Sequence, residues 1–408
     1  MLAALAEGKS HIHGFLEAAD TLATVAAFRA MGVSIEQLGH GELTIHGVGL
    51  HGLQQPSGSL NCGNSGTSMR LMAGVLAGQT FDTQLIGDDS LSRRPMRRVT
   101  EPLRLMGARI ELAEENFPPI KIYGGQTLHG IDYTLPVASA QVKSALLLAG
   151  LYAQGTTRIK ESQPTRDYTE RMLQTLGWSV DIRSDSIAIE GGKKLHNAEI
   201  YIPGDFSSAA FFIVAATLVS NSDLMLRQVG INPRRTGLLT ALKMMGADIK
   251  IENLRELSGE SIADLRVRHA SLRGIELPVE LVPDMIDEFP IFFVAAAAAK
   301  GITTIRSAKE LRVKESDRIA VMAAGLRRLG IQINETDDGA VIEGGTLRGG
   351  CVGSGGDHRC AMSFAVAGQI AESTVEIADC ANVATSFPDF VSTAQQCGFD
   401  VHETCEAK

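Results

Sequence analysis

Six glycines recur along the chain, at Gly32, Gly107, Gly177, Gly246, Gly330 and Gly398. They stand roughly 70 residues apart, a period longer than those of the common solenoid repeats. Each follows a helical pattern and precedes a strand-like one. Val99, Leu103 and Met106 fall at i, i+4 and i+7 ahead of Gly107, and Leu238, Leu242 and Met245 do the same ahead of Gly246. Behind those glycines run Ala108-Arg109-Ile110-Glu111-Leu112 and Ala247-Asp248-Ile249-Lys250-Ile251, which alternate with period two. Glycine ends a helix well because it enters the left-handed conformation without strain. Six copies of one helix–glycine–strand module restrict the chain to a repeated α/β architecture.

A second helix of small apolar residues precedes each module, read over 2–8, 70–78, 144–155, 209–220, 289–301 and 361–372. A helix that is apolar all round is buried on all sides, and small side chains let such helices approach closely. Three copies make a domain of about 200 residues, so the 408-residue chain divides near Pro203-Gly204 into domains 1–202 and 203–408. In every copy but the first a strand and a polar loop lead into the buried helix, as in Leu60-Asn61-Cys62-Gly63-Asn64-Ser65-Gly66-Thr67. The first copy begins inside its helix at Met1. Internal comparison therefore expects about 20–30 further residues ahead of it.

Lys and Arg total 38 against 47 Asp and Glu, a formal charge of −9. This argues against a generic nucleic-acid or anionic-membrane binder. No apolar run reaches the ~18–20 residues of a membrane span, and residues 1–8 lack the basic leader of a signal peptide. The six cysteines, Cys62, Cys351, Cys360, Cys380, Cys397 and Cys405, show neither CxxC pairs nor zinc-ligand spacing. They read as reduced thiols of a cytoplasmic protein.

The loops that open the buried helices carry the chemistry. Free backbone N–H groups and the positive end of the helix dipole favour anions there. Several also carry cations: Arg70 after Asn64-Ser65-Gly66-Thr67-Ser68, Lys143 after Ser139-Ala140-Gln141, and Arg359 after Gly355-Gly356-Asp357-His358. More charge sits in Arg93-Arg94-Pro95, in Thr165-Arg166-Asp167, and in Arg312-Val313-Lys314-Glu315-Ser316-Asp317-Arg318. Any one Arg alone reads as a solvated surface charge. Their recurrence at loop-to-helix junctions points to a substrate with several negative charges, which Arg holds bidentately. Asp357-His358 also reads as a capping pair, and residues 353–356 as a flexible loop. Asp287 and Glu288 read either as caps of a buried helix or as proton-transfer groups. Glu315, beside Lys314, is expected to be ionised unless burial opposes it. A carboxylate at each of two such loops suits proton transfer to and from a bound substrate. No P-loop or GxGxxG stands in its required strand–helix context.

Taken together, Gly63-Asn64-Ser65-Gly66-Thr67-Ser68-Met69-Arg70, Arg94-Pro95-Met96, Ser139-Ala140-Gln141-Val142-Lys143-Ser144, Pro203-Gly204-Asp205, Ser207-Ser208-Ala209-Ala210-Phe211-Phe212, the 312–318 run and Asp357-His358-Arg359 resemble the 5-enolpyruvylshikimate-3-phosphate synthase family, the 3-phosphoshikimate 1-carboxyvinyltransferases. The resemblance extends over nearly the whole chain. It implies a two-domain enolpyruvyl transferase fold, each domain of three βαβαββ-like repeats around buried parallel helices, closing over a cleft. It implies transfer of the enolpyruvyl group of phosphoenolpyruvate to the 5-hydroxyl of shikimate 3-phosphate, with release of phosphate. This is a step of aromatic amino-acid biosynthesis, carried out by a cytoplasmic monomer with no metal or cofactor. By the same resemblance Ser139, Ala140 (through its backbone), Gln141, Ser162 and Arg166 would hold shikimate 3-phosphate. Asp287 would accept the 5-hydroxyl proton. Lys314 would lie at the boundary of the two substrates, and Glu315 would protonate the methylene carbon. Arg94, Arg318 and Arg359 would clamp phosphoenolpyruvate, with Gly66 and Arg70 shaping that site.

Two departures from the family pattern stand out. A family loop carrying a Lys and an Arg that touch both substrates would lie before Met1. Losing one charged donor costs about 10²–10³-fold in rate. Relatives also carry a Lys just before a Thr/Ser-Phe-Pro stretch, where this chain has Ala384-Thr385-Ser386-Phe387-Pro388. Two rival readings follow: a truncated, inactive form that at best binds shikimate 3-phosphate, and a UDP-N-acetylglucosamine enolpyruvyl transferase. The second uses a mobile-loop Cys, whereas Cys62 lies in the strand and loop ahead of Arg70.

Overall fold

The structure, a computed structural model, describes residues 1–39, 41–114 and 116–404. The chain forms two compact units. The first comprises Met1–Ile202 with Leu257–Glu260, and the second comprises Pro203–Glu256 with the residues from Ser261 onward. The second unit is thus not the continuous run 203–408. The turn Leu257–Glu260 groups with the first unit, where Arg171 Nη1 donates to Gly259 O at 2.9 Å and Tyr201 N to Ser258 Oγ at 2.9 Å.

Buried and outer helices alternate along the chain. They are α1 (Leu2–Leu5), α2 (Ala19–Ala30), α3 (Gly66–Ala77), α4 (Arg97–Leu105), α5 (Ala140–Gly150), α6 (Tyr168–Thr175), α7 (Phe206–Leu218), α8 (Gly237–Met245), α9 (Phe289–Ala298), α10 (Arg318–Arg328), α11 (His358–Gly368) and α12 (Phe390–Gln396). The odd-numbered helices form the cores. Phe211, Phe212, Ile213 and Val214 of α7 and Phe292, Phe293 and Val294 of α9 are all at most 3% exposed. The six repeat glycines end or follow the outer helices with φ between +83° and +106°, a region where only glycine is unstrained.

Each complete repeat has one pattern. A leading strand pairs parallel with the strand after the buried helix, and the outer helix leads to an antiparallel pair that joins the same sheet. In the second repeat, Leu60–Asn61 is parallel to Thr83–Ile86, which is antiparallel to Phe117–Tyr123, which pairs with Arg109–Ala113. The first repeat is completed from elsewhere in the chain. Glu199–Tyr201 lies parallel to Glu7–His13. The chain then continues into the second unit, where Gly204 bridges Val229 in parallel.

Several boundaries differ from the sequence reading, each for a local reason. α3, α5, α7 and α11 start three or four residues early because Ser65, Ser139, Asp205 and Asp357 cap them with side-chain oxygens. α1 stops at Leu5, since Ala6 is already extended and Glu7 opens a strand. The expected strand after Gly398 is not formed among the described residues. There, Gln395 Nε2 donates to Val401 O at 2.8 Å and Asp400 N to Gln369 Oε1 at 2.9 Å, while Phe399 packs on Phe212. Cys62, Cys351, Cys360, Cys380 and Cys397 are free thiols, and Cys405 lies outside the described residues. Among the described residues no helix is long and apolar enough to cross a membrane.

The close packing of α3 and α5 gives a stability prediction. A Cβ on Gly74 would lie 2.1 Å from the Ala145 carbonyl oxygen, which is fixed in the α5 backbone. Gly74→Ala should lower unfolding stability by about 1–3 kcal/mol through overpacking, read as a shift of the urea midpoint. An unchanged midpoint would contradict this packing.

Candidate active site

The candidate residues form two clusters, one in each unit. In the first unit Ser65 Oγ accepts from Ser68 N at 3.2 Å and so sets the start of α3 at Gly66. That start places Arg70 one turn in, where Nη1 donates to Gln141 Oε1 at 2.7 Å. Gln141 Nε2 donates in turn to Thr67 Oγ1 at 2.8 Å, tying the openings of α3 and α5 together. Arg94 Nη2 donates to Asn64 Oδ1 at 2.6 Å, and Asn64 Nδ2 to Asp88 Oδ2 at 2.6 Å. A Cβ on Gly66 would meet Arg70 Nη1 at 2.8 Å and Arg94 Nη1 at 3.3 Å. The missing side chain therefore lets both guanidiniums close over the helix start. Ser139 caps α5, its Oγ accepting from Val142 N at 3.4 Å, and Ala140 is the first residue of that helix.

Lys143 does not present a charge to the junction, contrary to the sequence reading. It is 1% exposed, with Nζ 2.7 Å from Glu170 Oε1 and 3.1 Å from Glu161 Oε2. It also donates to Thr165 O at 3.4 Å. Burial pushes the Glu170 carboxyl above its ordinary value, against the opposing pull of Lys143. Lys143 thus fastens α5 to the 161–167 loop. Ser162, exposed, and Arg166, half-buried, sit on that loop.

In the second unit four cations converge on one short segment. Asp287 Oδ1 lies 3.4 Å from Lys314 Nζ and 3.3 Å from Arg318 Nη1, and Oδ2 lies 3.5 Å from Arg235 Nη1. Arg359 Nη1 donates to the Asp287 carbonyl at 3.3 Å. Arg318 is 2% exposed and gives Nη2 to Glu315 Oε2 at 2.6 Å and Nε to Asp357 Oδ2 at 2.8 Å. Burial works against its charge, but Asp357, Glu315 and Asp287 outweigh burial and hold the guanidinium above its ordinary range. Glu315 is therefore held by Arg318, while Lys314, its sequence neighbour, reaches Asp287. Glu288 makes no capping bond to α9. It is 1% exposed, accepts from Ser207 Oγ, and lies 3.6 Å from Arg235 and 3.8 Å from Arg359. Asp357 is a cap, as the sequence reading expected, accepting from Arg359 N at 2.9 Å, and it pairs with Arg318 as well. Chemically, the cluster combines a fixed carboxylate, a second carboxylate on the 312–318 run, and half-exposed cations suited to anionic oxygens.

The sequence reading missed Arg235, although the repeat carries a signal for it. The loops before outer helices α4, α6 and α10 hold Arg94, Arg166 and the run from Lys314 to Asp317, with Arg318 the first residue of α10. Asn232-Pro233-Arg234-Arg235-Thr236 has the same place before α8, and Ala384 lies in the corresponding loop before α12. Asn64 and Ser207 were quoted only within motifs, because uncharged polar side chains give no charge pattern to follow.

Comparison with solved proteins first defines the class. The enolpyruvyl transferase NikO from Streptomyces tendae shares the fold at 17% identity, with a TM-score of 0.77 over 99% of this chain and 92% of that one. EPSP synthase from Acinetobacter baumannii is 52% identical with a TM-score of 0.88, covering 98% of this chain and 92% of that chain. The sequence matches the EPSP synthase (3-phosphoshikimate 1-carboxyvinyltransferase) family over residues 1–393, and the chain belongs to that family. It is 59% identical over 399 residues to the 3-phosphoshikimate 1-carboxyvinyltransferase of Xanthomonas oryzae pv. oryzae (strain PXO99A), covering 98% of this chain and 91% of that protein.

Two predictions arise from the buried charges. Lys143→Met leaves Glu161 and Glu170 buried without their cation and should cost about 3–5 kcal/mol of stability, measured by denaturant unfolding. A loss below one kcal/mol, on the order of a surface pair, would show that Lys143 is not the fastening described. His358 opens α11, and burial, helped by Arg359, pushes its imidazole down to about 4, against the pull of Asp357. The folded state therefore takes up this proton later than the unfolded state does. The resulting stability is present above pH 6.5 and is lost as pH falls from 6.5 towards 4. His358→Gln should show a shallower fall of melting temperature across that interval than the wild type; parallel curves would refute it.

Proposed function

We infer that this chain transfers the enolpyruvyl group of phosphoenolpyruvate to the 5-hydroxyl of shikimate 3-phosphate, giving 5-enolpyruvylshikimate 3-phosphate and phosphate. The observation that carries the reading is Asp287: one carboxylate held by Lys314, Arg318 and Arg235, with Glu315 on the same Arg318. It occurs in a chain 59% identical to a 3-phosphoshikimate 1-carboxyvinyltransferase.

On this reading Ser139, the Ala140 backbone, Gln141, Ser162 and Arg166 hold shikimate 3-phosphate. Arg94, Arg318 and Arg359 serve phosphoenolpyruvate, with Gly66 and Arg70 shaping its site. Asp287 takes the proton of the 5-hydroxyl as that oxygen bonds to the substituted carbon of phosphoenolpyruvate. Glu315 delivers a proton to the methylene carbon, giving a tetrahedral adduct. Phosphate then leaves with the proton held by Asp287, and one methyl proton returns to Glu315, which regenerates the double bond and both acids. Lys314 and the guanidiniums stabilise charge on carboxylate and phosphate oxygens throughout. Arg318 is largely satisfied by protein carboxylates, so its share is mainly to fix Asp287 and Glu315. We read the protein as a cytoplasmic monomer acting on these two small anions.

Wild-type protein should release inorganic phosphate only when both substrates are present, with the enolpyruvyl ether identified by phosphorus NMR. Asp287→Asn should lower kcat by about 10²–10⁴-fold. Absence of product from the wild type would overturn the assignment, and an Asp287→Asn rate within threefold of wild type would remove Asp287 from its role.

A further inference from the structure

We propose that Arg235 is a positioning residue that fixes the proton-accepting carboxylate of Asp287 and couples it to the Arg359 anion site. This rests on the enolpyruvyl-transfer reading above. Arg235 is 8% exposed and lies in the loop that opens α8. Its guanidinium spans two neighbouring acids. Nη1 lies 3.5 Å from Asp287 Oδ2, and Nη2 lies 3.6 Å from Glu288 Oε1. The same Nη2 donates to Ser207 Oγ, which itself donates to Glu288 Oε1. Asp205 Oδ1, on the residue that caps α7, lies 3.4 Å from Nη2.

This placement divides the work on Asp287. Lys314 and Arg318 both approach Oδ1, and Arg235 approaches Oδ2. With both oxygens held, the plane of the carboxylate is set, and so is the direction of its lone pairs. A planar fork reaches the two acids from two separate nitrogens in one fixed plane, whereas an ammonium would approach both from a single point. The second arm reaches Glu288, whose Oε1 is 3.8 Å from Arg359 Nη1. A shift of Arg235 therefore disturbs the proposed base and the anion-holding Arg359 together. Arg235 is mostly enclosed and engaged by protein acids, so its effect on the reaction passes through them.

The groups facing Asp287 include Arg235 from the α8 loop, Lys314 and Arg318 from the 312–318 run, Arg359 from α11, and the adjacent Glu288. Glu315 and Asp357 act on it through Arg318. Removing Arg235 takes one positive charge from this set, so the ionised base is favoured less. The acid limb of the kcat profile must then move to higher pH.

The test uses the whole protein with shikimate 3-phosphate and phosphoenolpyruvate, after wild-type turnover has been established. Absence of wild-type turnover would sink the functional reading and is thereby distinguished from failure of this proposal. Arg235→Met should lower kcat about 100-fold, the scale of a small misplacement of reacting groups. KM for shikimate 3-phosphate should change far less, and the acid limb should rise by about one pH unit. Arg235→Lys should keep the acid limb near that of wild type while kcat stays reduced, because charge is restored without the fork. Guanidinium added to Arg235→Ala should recover part of kcat. A Met variant with kcat within threefold of wild type overturns the proposal, as does a low kcat with an unmoved acid limb. If the Met variant does not fold, the Lys variant decides: wild-type kcat there also overturns it.

Discussion

Arg318 has almost no solvent to share its charge with, and its position is tenable because each of its three guanidinium nitrogens meets a different carboxylate. Nε meets Asp357, Nη1 meets Asp287 and Nη2 meets Glu315. Those acids belong to the cap of α11, the approach to α9 and the loop before α10. One side chain thus holds three loops of the second unit in register. A buried charge left without a partner costs several kcal/mol, so the three loops are constrained jointly. The placement of Asp287 and Glu315, the two acids assigned to proton transfer, depends on this single guanidinium.

The same accounting of charge alters the picture of an electropositive site. In the second-unit cluster Arg235, Lys314, Arg318 and Arg359 face Asp205, Asp287, Glu288, Glu315 and Asp357. His358 beside them is neutral at neutral pH, with its imidazole pushed down to about 4. The protein's own acids therefore outnumber the cations of this cluster before any substrate arrives. What remains for an anion is decided by exposure. Lys314 at 28% and Arg359 at 17% retain accessible hydrogen-bonding capacity, whereas Arg318 at 2% and Arg235 at 8% do not. Depth thus separates cations with similar sequence signatures into accessible and enclosed ones.

The sequence carried the architecture because its determinants are local and repeated. A helix followed by a left-handed glycine and an alternating strand is visible at Gly107 or Gly246 without knowledge of any partner. The helix starts were harder. Ser65, Ser139, Asp205 and Asp357 are ordinary polar residues until their side chains are seen to accept from the first turn. Partner choice was harder still. That Glu199–Tyr201 completes the sheet of Glu7–His13 depends on a pairing across most of the first unit. That Lys143 turns inward depends on Glu161 and Glu170, which come from two further segments. Spacing within one segment records none of these contacts.

The repeat also accounts for the spread of the proposed site residues over so many loops. Every copy places a loop before an outer helix at the same point of the sheet, and the fold needs no particular side chain there. Arg94, Arg166, Arg235 and the Lys314–Glu315–Arg318 group fill that position in different copies, and Ala384 lies in it in another. Substitution in one copy leaves the cores of the others untouched, because those cores are built from the buried helices. Stability and chemistry are thereby separated along the chain: apolar odd-numbered helices hold the units, and the loops are free to diverge in charge. Lys143 and Arg318 are where the separation fails. Both come from charged motifs, yet both are buried, and each now serves the fold and the site at once.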